Sequence, residues 1–203
     1  MDINFIITAH NKEDFLPYLV KVLQSYKKIR PNPIVCYNGY RSDFPCTIRM
    51  TNSGHQRGDK ELTLAGYRWH QQNNTCLRYI KIGIDSWLLD EDAIITIFED
   101  MDKAEACYGG NRWEREDKPL LATDIIFADL HHGDPFIEFA EDGPSFEWWM
   151  YEALKRRRLK THMIWQRIPV HPDNRHVCGP LKWTMEHDLQ KNIENAKKWG
   201  YCL

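Results

Sequence analysis

Short apolar runs alternate with amphipathic segments along most of this chain. The runs are rich in β-branched residues and end in polar ones, a pattern typical of buried strands. The clearest example is INFIITAH, which is followed at once by a polar turn and a helical pattern. By the same criteria we predict strands at 3–10, 32–39, 46–52, 77–85, 119–130 and 161–171.

Between these runs, apolar residues recur every three or four positions, which predicts helices with one buried face. In the first of them Asp14 is a candidate cap, and Pro17 falls in the first turn, where its missing N–H costs little. The predicted helices cover 11–28, about 60–72, 90–106, 146–158 and 184–199, with a polar, glycine-punctuated loop at 53–59.

The alternation of strands and helices sets the fold class. It predicts an α/β fold with a mostly parallel sheet and helices on both faces. We find no internal repeat, low-complexity tract or linker, so we expect a single domain over residues 1–203. Ligands of such open sheets bind beyond the carboxyl ends of the strands, so the residues after each strand are the first candidates for a site.

Composition narrows the classes of function. The formal net charge is −2 and the pI about 6.5, which argues against a nucleic-acid partner. No apolar run is long enough to span a membrane, and the acidic start MDINF is unlike a signal peptide. The six cysteines include no C-x-x-C pair, which favours reduced thiols and a cytoplasmic location.

The strand ends combine groups that suit a metal-bridged diphosphate. They supply a carboxylate, an imidazole, cations, amide and hydroxyl groups, and glycines that allow close backbone approach. An imidazole among oxygen ligands suits Mn²⁺ better than Mg²⁺, although Mg²⁺ is possible. The chain has neither a P-loop nor a dinucleotide-binding glycine motif. The residues concerned are Thr8, Asn11, Asn38, Arg57, Gly58, Asp85, His176, Gly179 and Lys182.

Four segments together resemble GT-A fold glycosyltransferases. The first, FIITAHNKEDFLPYLVKVLQS, is similar to the opening strand, polar turn and helix of that family, and the resemblance implies that Thr8, His10 and Asn11 meet the nucleotide. RYIKIGIDSWLLDEDAI resembles the strand that runs into an Asp-x-Asp motif. SFEWWMYEALKRRRLKTHMIWQ resembles the later helix and strand.

The fourth segment, HVCGPLKW, resembles the His-x-x-Gly-x-x-Lys motif of retaining, UDP-sugar-dependent enzymes related to glycogenin. The resemblance implies that His176 ligates the metal and that Gly179 and Lys182 meet the diphosphate. Small glycosyltransferase domains of large chlorella viruses are similar in kind, which would place the protein in the host cytoplasm. An isolated His and a Gly-Pro turn are also ordinary loop features, and that interpretation stays open.

One position departs from the family pattern. Where the family has Asp-x-Asp, this chain has Gly83, Ile84 and Asp85, so the first carboxylate is missing. Asp85 matches the metal-binding second Asp, but it could also be an acid that faces water after a strand. Ser86, Asp90 or water could take over the missing contacts.

Further candidates are less specific. Arg57 and Lys60 precede the strand that carries Asp85 and could contact ribose and phosphate, or form part of a solvated loop. Glu147 stands where inverting relatives keep their base, although an acid at a helix N-terminus also simply complements the helix dipole. Asp124 could meet the sugar, or could be a buried, hydrogen-bonded acid. His131, His132 and Asp134 could form an accidental metal site.

These observations predict an enzyme, a glycosyltransferase that moves a hexose from a UDP-sugar donor to a carbohydrate acceptor with the help of Mn²⁺. Glu147, Asp124 and Lys182 are the catalytic candidates, and Asp85 and His176 are the metal ligands. The motif around His176 favours retention of anomeric configuration. Two alternatives remain, a nucleotidyltransferase of related fold and a catalytically inactive nucleotide-sugar-binding module.

Overall fold

A seven-stranded sheet forms the centre of the computed structural model. The strands of this sheet are β1 (Asp2–Ala9), β2 (Arg30–Tyr37), β3 (Ile48–Arg49), β4 (Arg78–Gly83), β6 (Tyr108–Gly110), β9 (Ile125–Asp129) and β10 (Thr161–Met163). Their order across the sheet is β10-β6-β9-β4-β1-β2-β3. All neighbouring pairs are parallel except those of β9, which runs antiparallel to β4 and β6. The predicted mostly parallel α/β sheet is therefore confirmed.

Two small antiparallel sheets accompany the main one. In the first, β5 (Ser86–Leu88) pairs with β11 (Trp183–Met185), and in the second, β7 (Arg112–Arg115) pairs with β8 (Lys118–Leu121). The structure describes residues 1–73, 76–110, 112–115, 118–121, 123–136, 146–164, 183–185 and 187–203.

Helices cover both faces of the sheet, as the sequence predicts. The described helices are α1 (Leu16–Gln24), α2 (His55–Asn73), α3 (Glu91–Ala104), α4 (Phe146–Arg156) and α5 (Leu189–Lys198). One core contains the buried side chains of α1, α3 and α5 against one face of the sheet, and a second contains those of α2 and α4 against the other. Successive residues of β1 and β4 point alternately into the two cores, because side chains alternate along a strand.

Several boundaries differ from the predicted ones. The segment predicted as one strand at 119–130 forms two strands, β8 and β9, separated by the residues that include Thr123 and Asp124. The predicted strand 77–85 ends at Gly83, and the closing helix begins at Leu189, after β11. Of the strand predicted at 161–171, residues 165–171 lie outside the described part of the chain.

The start of the first helix also differs. A short 3₁₀ turn, Glu13–Phe15, precedes α1, and the helix has Pro17 in its first turn as predicted. The predicted cap at Asp14 is wrong, because Phe15 takes the cap position and makes no side-chain capping bond.

Candidate functional site

A cavity of about 430 Å³ lies at the carboxyl ends of β1, β2 and β4. The antiparallel β9 begins at this edge, so the residues just before that strand also reach the cavity. Six of the residues that the sequence singles out line it: Thr8, His10, Asn11, Asn38, Asp85 and Asp124.

The end of β1 is fixed by bonds to both neighbouring strands. Asn38 N–H donates to the Ala9 carbonyl (3.1 Å), and Ile84 N–H donates to the Thr8 carbonyl (3.0 Å). The Thr8 hydroxyl is buried and donates to the Ile82 carbonyl (3.5 Å). The polar turn after β1 is thus held in place by the sheet.

His10 and Asn38 form a polar pair on one wall of the cavity, with His10 Nδ1 3.1 Å from Asn38 Oδ1. Two glycines make this packing possible. A Cβ at Gly58 would lie 2.5 Å from the Asn38 amide nitrogen, and one at Gly39 would lie 1.9 Å from the His10 carbonyl oxygen. Tyr40 is 87% exposed and contacts the His10 ring edge-on, at 5.8 Å between centroids. Amide and imidazole groups therefore line this wall, and an exposed aromatic ring lies next to the imidazole.

Asp85 lies in the tight turn between β4 and β5. Asn192 of α5, which is buried, donates to its backbone carbonyl (2.8 Å), and Trp87 Nε1 donates to the Ile84 carbonyl (3.1 Å). A Cβ at Gly83 would lie 2.9 Å from Asp85 Oδ1. The Asp85 carboxylate thus occupies space that a side chain at position 83 would contest.

Asp85 has two partners that were not predicted from the sequence, namely Lys12 and His187. Lys12 Nζ donates to Asp85 Oδ2 and to His187 Nδ1, each at 2.5 Å, while Nδ1 and Oδ2 lie 3.3 Å apart. Lys12 directly follows the polar turn, so its proximity to the site could have been expected. His187 has no such signal, because its position depends on the pairing of β11 with β5.

A second missed pair lies deeper in the cavity. Lys81, in the middle of β4, has a side chain that is 2% exposed and donates to Asp59 Oδ2 of α2 (2.8 Å) and to the Thr123 carbonyl (2.6 Å). All three residues line the cavity. The signal in the sequence is a lysine flanked by isoleucines in the strand RYIKIG.

Arg57 and Lys60 do not occupy the loop that the sequence predicts. The prediction of a loop at 55–59 is wrong, since α2 begins at His55 and includes both residues. Arg57 forms an exposed pair with Glu61 (2.9 Å), whereas Lys60 is largely buried. Neither is among the described residues that line the cavity.

Of the remaining candidates, Glu147 lies within the described residues. It is in the first turn of α4, next to Phe146, which lines the cavity. His176, Gly179 and Lys182 lie outside the described residues, so their predicted roles stay predictions.

Another polar cluster lies at the opposite edge of the sheet, where β4 begins and β9 ends. Arg78 donates to Asp129 Oδ2 (2.8 Å) and to Asp102 Oδ2 (2.6 Å), and His132 Nε2 is 2.8 Å from Asp102 Oδ1. Burial raises the pKa of Asp129, but hydrogen bonds from Arg78 and His131 outweigh burial and hold that pKa below its ordinary value. Ligand atoms of Asp102, Asp129 and His132 lie within 4.8 Å of one another, a spacing that could hold a metal ion.

The Arg78 guanidinium already supplies positive charge to that cluster, so we interpret it as an ion-pair network. The trio suggested by the sequence, His131, His132 and Asp134, does not assemble. His131 pairs with Asp129, His132 with Asp102, and Asp134 accepts a hydrogen bond from Tyr67.

Within the described part of the chain, no helix is long and apolar enough to cross a membrane.

No protein-family model and no curated protein matches this chain. Solved structures do resemble it. A glycosyltransferase involved in the glycosylation of the major capsid of PBCV-1 aligns over 98% of this chain and 100% of its own, with 10% identity and a TM-score of 0.57. The galactosyltransferase LgtC, solved in complex with donor and acceptor sugar analogs, aligns over 100% of this chain and 98% of its own, with 11% identity and a TM-score of 0.50.

A different class of enzyme is also similar. The structure of 4-diphosphocytidyl-2C-methyl-D-erythritol synthase aligns over 88% of this chain and 94% of its own, with 13% identity and a TM-score of 0.52. At such identities these likenesses show the fold and nothing finer. The predicted resemblance to the GT-A fold is confirmed at that level.

Proposed function

We propose that this protein is a glycosyltransferase that moves a hexose from a UDP-sugar to a carbohydrate acceptor, with a divalent metal ion as its cofactor. The observation that carries the proposal is the cavity at the carboxyl ends of β1, β2 and β4, which gathers six residues predicted from the sequence. In open α/β sheets this edge is where nucleotides bind.

The nucleoside half of the donor fits the wall formed by the turn after β1 and by Asn38. The His10–Asn38 pair offers hydrogen-bonding groups to the edge of a uracil ring. Thr8 and Asn11 line the same wall, and the backbone there is fixed by the sheet bonds described above. A rigid wall of this kind reduces the ordering cost of binding.

Asp85 and His187 have ligand atoms suited to a divalent ion. Their separation of 3.3 Å is close to the distance of about 3 Å between adjacent ligands on an octahedral ion with bonds of about 2.1 Å. We propose that they hold Mn²⁺, with Mg²⁺ as an alternative, and that His176 is a third ligand. When bound, the ion would stabilise the negative charge that develops on the departing diphosphate.

The sugar and acceptor would lie toward β9 and α4. Asp124 lines the cavity there and could accept hydrogen bonds from sugar hydroxyls. Glu147, in the first turn of α4, would support the acceptor or the sugar. Lys81 is already neutralised by Asp59, so we propose that this pair has a structural role and shapes the floor of the cavity.

Lys182 and Gly179 complete the proposed diphosphate site. An ammonium that contacts the leaving group mainly as charge develops lowers the barrier more than it tightens donor binding. Loss of such a donor typically costs about 10²- to 10³-fold in kcat. The HVCGPLKW motif is the basis for proposing retention of anomeric configuration.

A nucleotidyltransferase is the second candidate, because such an enzyme would use the same kind of sheet and nucleotide pocket, and the 4-diphosphocytidyl-2C-methyl-D-erythritol synthase structure shares the fold. A catalytically inactive nucleotide-sugar-binding module is the third, because Gly83 removes a family carboxylate. The three candidates differ in product. A glycosyltransferase releases UDP from a UDP-sugar, a nucleotidyltransferase releases pyrophosphate from a nucleoside triphosphate, and an inactive module releases neither.

The test combines binding with turnover. UDP with Mn²⁺ should raise the melting temperature more than GDP or CMP does. The shift should be readily measured, since a ligand at 100 times its Kd adds about 2.7 kcal/mol of stability. UDP-sugars with carbohydrate acceptors should release UDP, and proton NMR of the early product should show the anomeric configuration of the donor. Asp85→Asn should abolish turnover, whereas Asp92→Asn, exposed on α3, should not.

Different results would overturn different parts of the proposal. An equal shift with GDP would remove the uridine assignment, and an inverted product would move the catalytic base to Glu147. Pyrophosphate release without UDP release would favour the nucleotidyltransferase.

A further inference from the structure

The ammonium of Lys12 occupies the position between Asp85 and His187 that a divalent ion would take. Its Nζ is 2.5 Å from both Asp85 Oδ2 and His187 Nδ1. Because the ammonium donates both bonds, the two ligand atoms direct their lone pairs toward one point. A metal ion bound by the same two atoms would have to occupy nearly the same place.

The charge of this position also suits a single ammonium. With Gly83 in place of a first carboxylate, the described residues supply one negative charge here, that of Asp85. Lys12 neutralises it fully. An Asp-x-Asp pair would carry two negative charges and would balance a divalent ion, whereas a single aspartate balances a lysine.

The backbone of Lys12 has an unusual conformation. Lys12 has φ 64° and ψ 37°, in the left-handed region that residues other than glycine rarely adopt. Residues held in such conformations occur preferentially at functional sites. The side chain is 24% exposed and that of Asp85 is 14% exposed, so the pair is partly shielded from water.

We propose that Lys12 and a divalent ion compete for this one position, so that the ion binds to Asp85 and His187 only after the Lys12 ammonium has moved out. Lys12 is then the resident cation of the site. The inference deepens the proposed function, since it concerns the same diphosphate site, but it can be tested without nucleotide or sugar.

The experiment measures binding of Mn²⁺ alone, from the electron paramagnetic resonance signal of the free ion, to the wild-type chain and to variants. Lys12→Met should bind Mn²⁺ at least about tenfold more tightly than the wild type, because a competing positive charge is gone. Lys21→Met, which removes an exposed lysine of α1, should bind like the wild type. Adding Asp85→Asn to Lys12→Met should abolish the gain.

Two further variants keep the test decisive. Lys12→Arg retains the charge and should bind Mn²⁺ as weakly as the wild type. If Lys12→Met fails to fold by circular dichroism, Lys12→Gln takes its place. Equal affinity in wild type and Lys12→Met, no binding in either, or a gain that survives Asp85→Asn would each overturn the competition. Because the assay contains no UDP-sugar, its failure and a failure of the glycosyl-transfer assay are distinguishable.

Discussion

At the scale of single residues, Lys81 is a buried lysine of β4 that lines the cavity. Its side chain is 2% exposed, and its ammonium is held by Asp59 Oδ2 at 2.8 Å and by the Thr123 carbonyl at 2.6 Å. A charged group at this depth is tolerated only when it is paired and hydrogen-bonded. The pair joins β4 to α2 and fixes the position of Asp59 at the cavity floor.

Asp59→Asn should therefore destabilise the protein strongly. Removing one partner of a buried pair leaves an uncompensated charge and typically costs about 3–5 kcal/mol. Urea unfolding would measure the loss. The matched control is Asp43→Asn, which breaks an exposed pair with Arg41 and should cost less than about 1 kcal/mol. A loss no larger than that of the control would show that the Lys81 ammonium finds other partners.

Part of the site could be predicted one residue at a time. Asn38 and Asp85 follow strands of the parallel sheet and Thr8 lies at the end of one, so the strand-end rule alone selects them. Lys81 and His187 could not be selected in this way. Lys81 lies inside a strand rather than after it, and His187 reaches Asp85 from a distant part of the chain through the pairing of β11 with β5.

At the scale of elements, the helix that follows Asp85 has a strong start signal. Asp90 is the N-cap of α3, and its carboxylate accepts a hydrogen bond from the Ala93 N–H (3.0 Å). Asp90 was a candidate replacement for the carboxylate missing at Gly83. Its capping bond gives it a structural role that needs no metal.

Asp90→Ala should lower the free energy of unfolding by about 1 kcal/mol, since that is the typical cost of losing an N-cap side chain. It should leave Mn²⁺ binding unchanged. Glu99→Ala, an exposed substitution on the same helix, should change stability by less than about 0.5 kcal/mol. Chemical denaturation gives the stabilities, and loss of Mn²⁺ affinity in Asp90→Ala would instead make Asp90 a metal ligand.

The start of α2 shows why some boundaries could not be predicted. Residues 55–59 contain no apolar residue, so no hydrophobic period marks them as helical. The helix forms there because Gly58 packs directly against Asn38 and because Asp59 pairs with Lys81. These are contacts between distant segments, and they outweigh the weak local preference.

At the scale of the whole molecule, a buried histidine links stability to pH. His70 belongs to α2 and its side chain faces β1, with Nε2 3.5 Å from the Phe5 carbonyl oxygen. Among the described residues, no hydrogen-bond partner is found for its Nδ1. Burial lowers the pKa of His70 from 6.5 to about 4. The folded protein therefore keeps this imidazole neutral under conditions in which the unfolded chain protonates it.

The sign of the effect follows from this difference. As the pH falls below 6.5 the unfolded chain takes up the proton first, so stability is full above pH 6.5 and is lost toward pH 4. The expected loss from this residue is about 3 kcal/mol. Urea unfolding of the wild type and of His70→Leu across this range would measure it. The variant should lose less stability on acidification, and parallel curves would contradict the assignment.

Because β9 runs antiparallel to β6, the β7–β8 hairpin between these two strands joins the central sheet at a single edge. Strand β6 ends and strand β9 begins at the cavity edge, and the β7–β8 hairpin, Arg112 to Leu121, leaves and rejoins the sheet there. Its own ladder pairs Arg112 with Leu121 and Arg115 with Lys118, separate from the seven-stranded ladder. A hairpin from another protein could therefore be grafted at these two junctions while the register of Tyr108 with Ala128 stays intact. The fold therefore allows this hairpin to vary in sequence and length while the central sheet keeps its register.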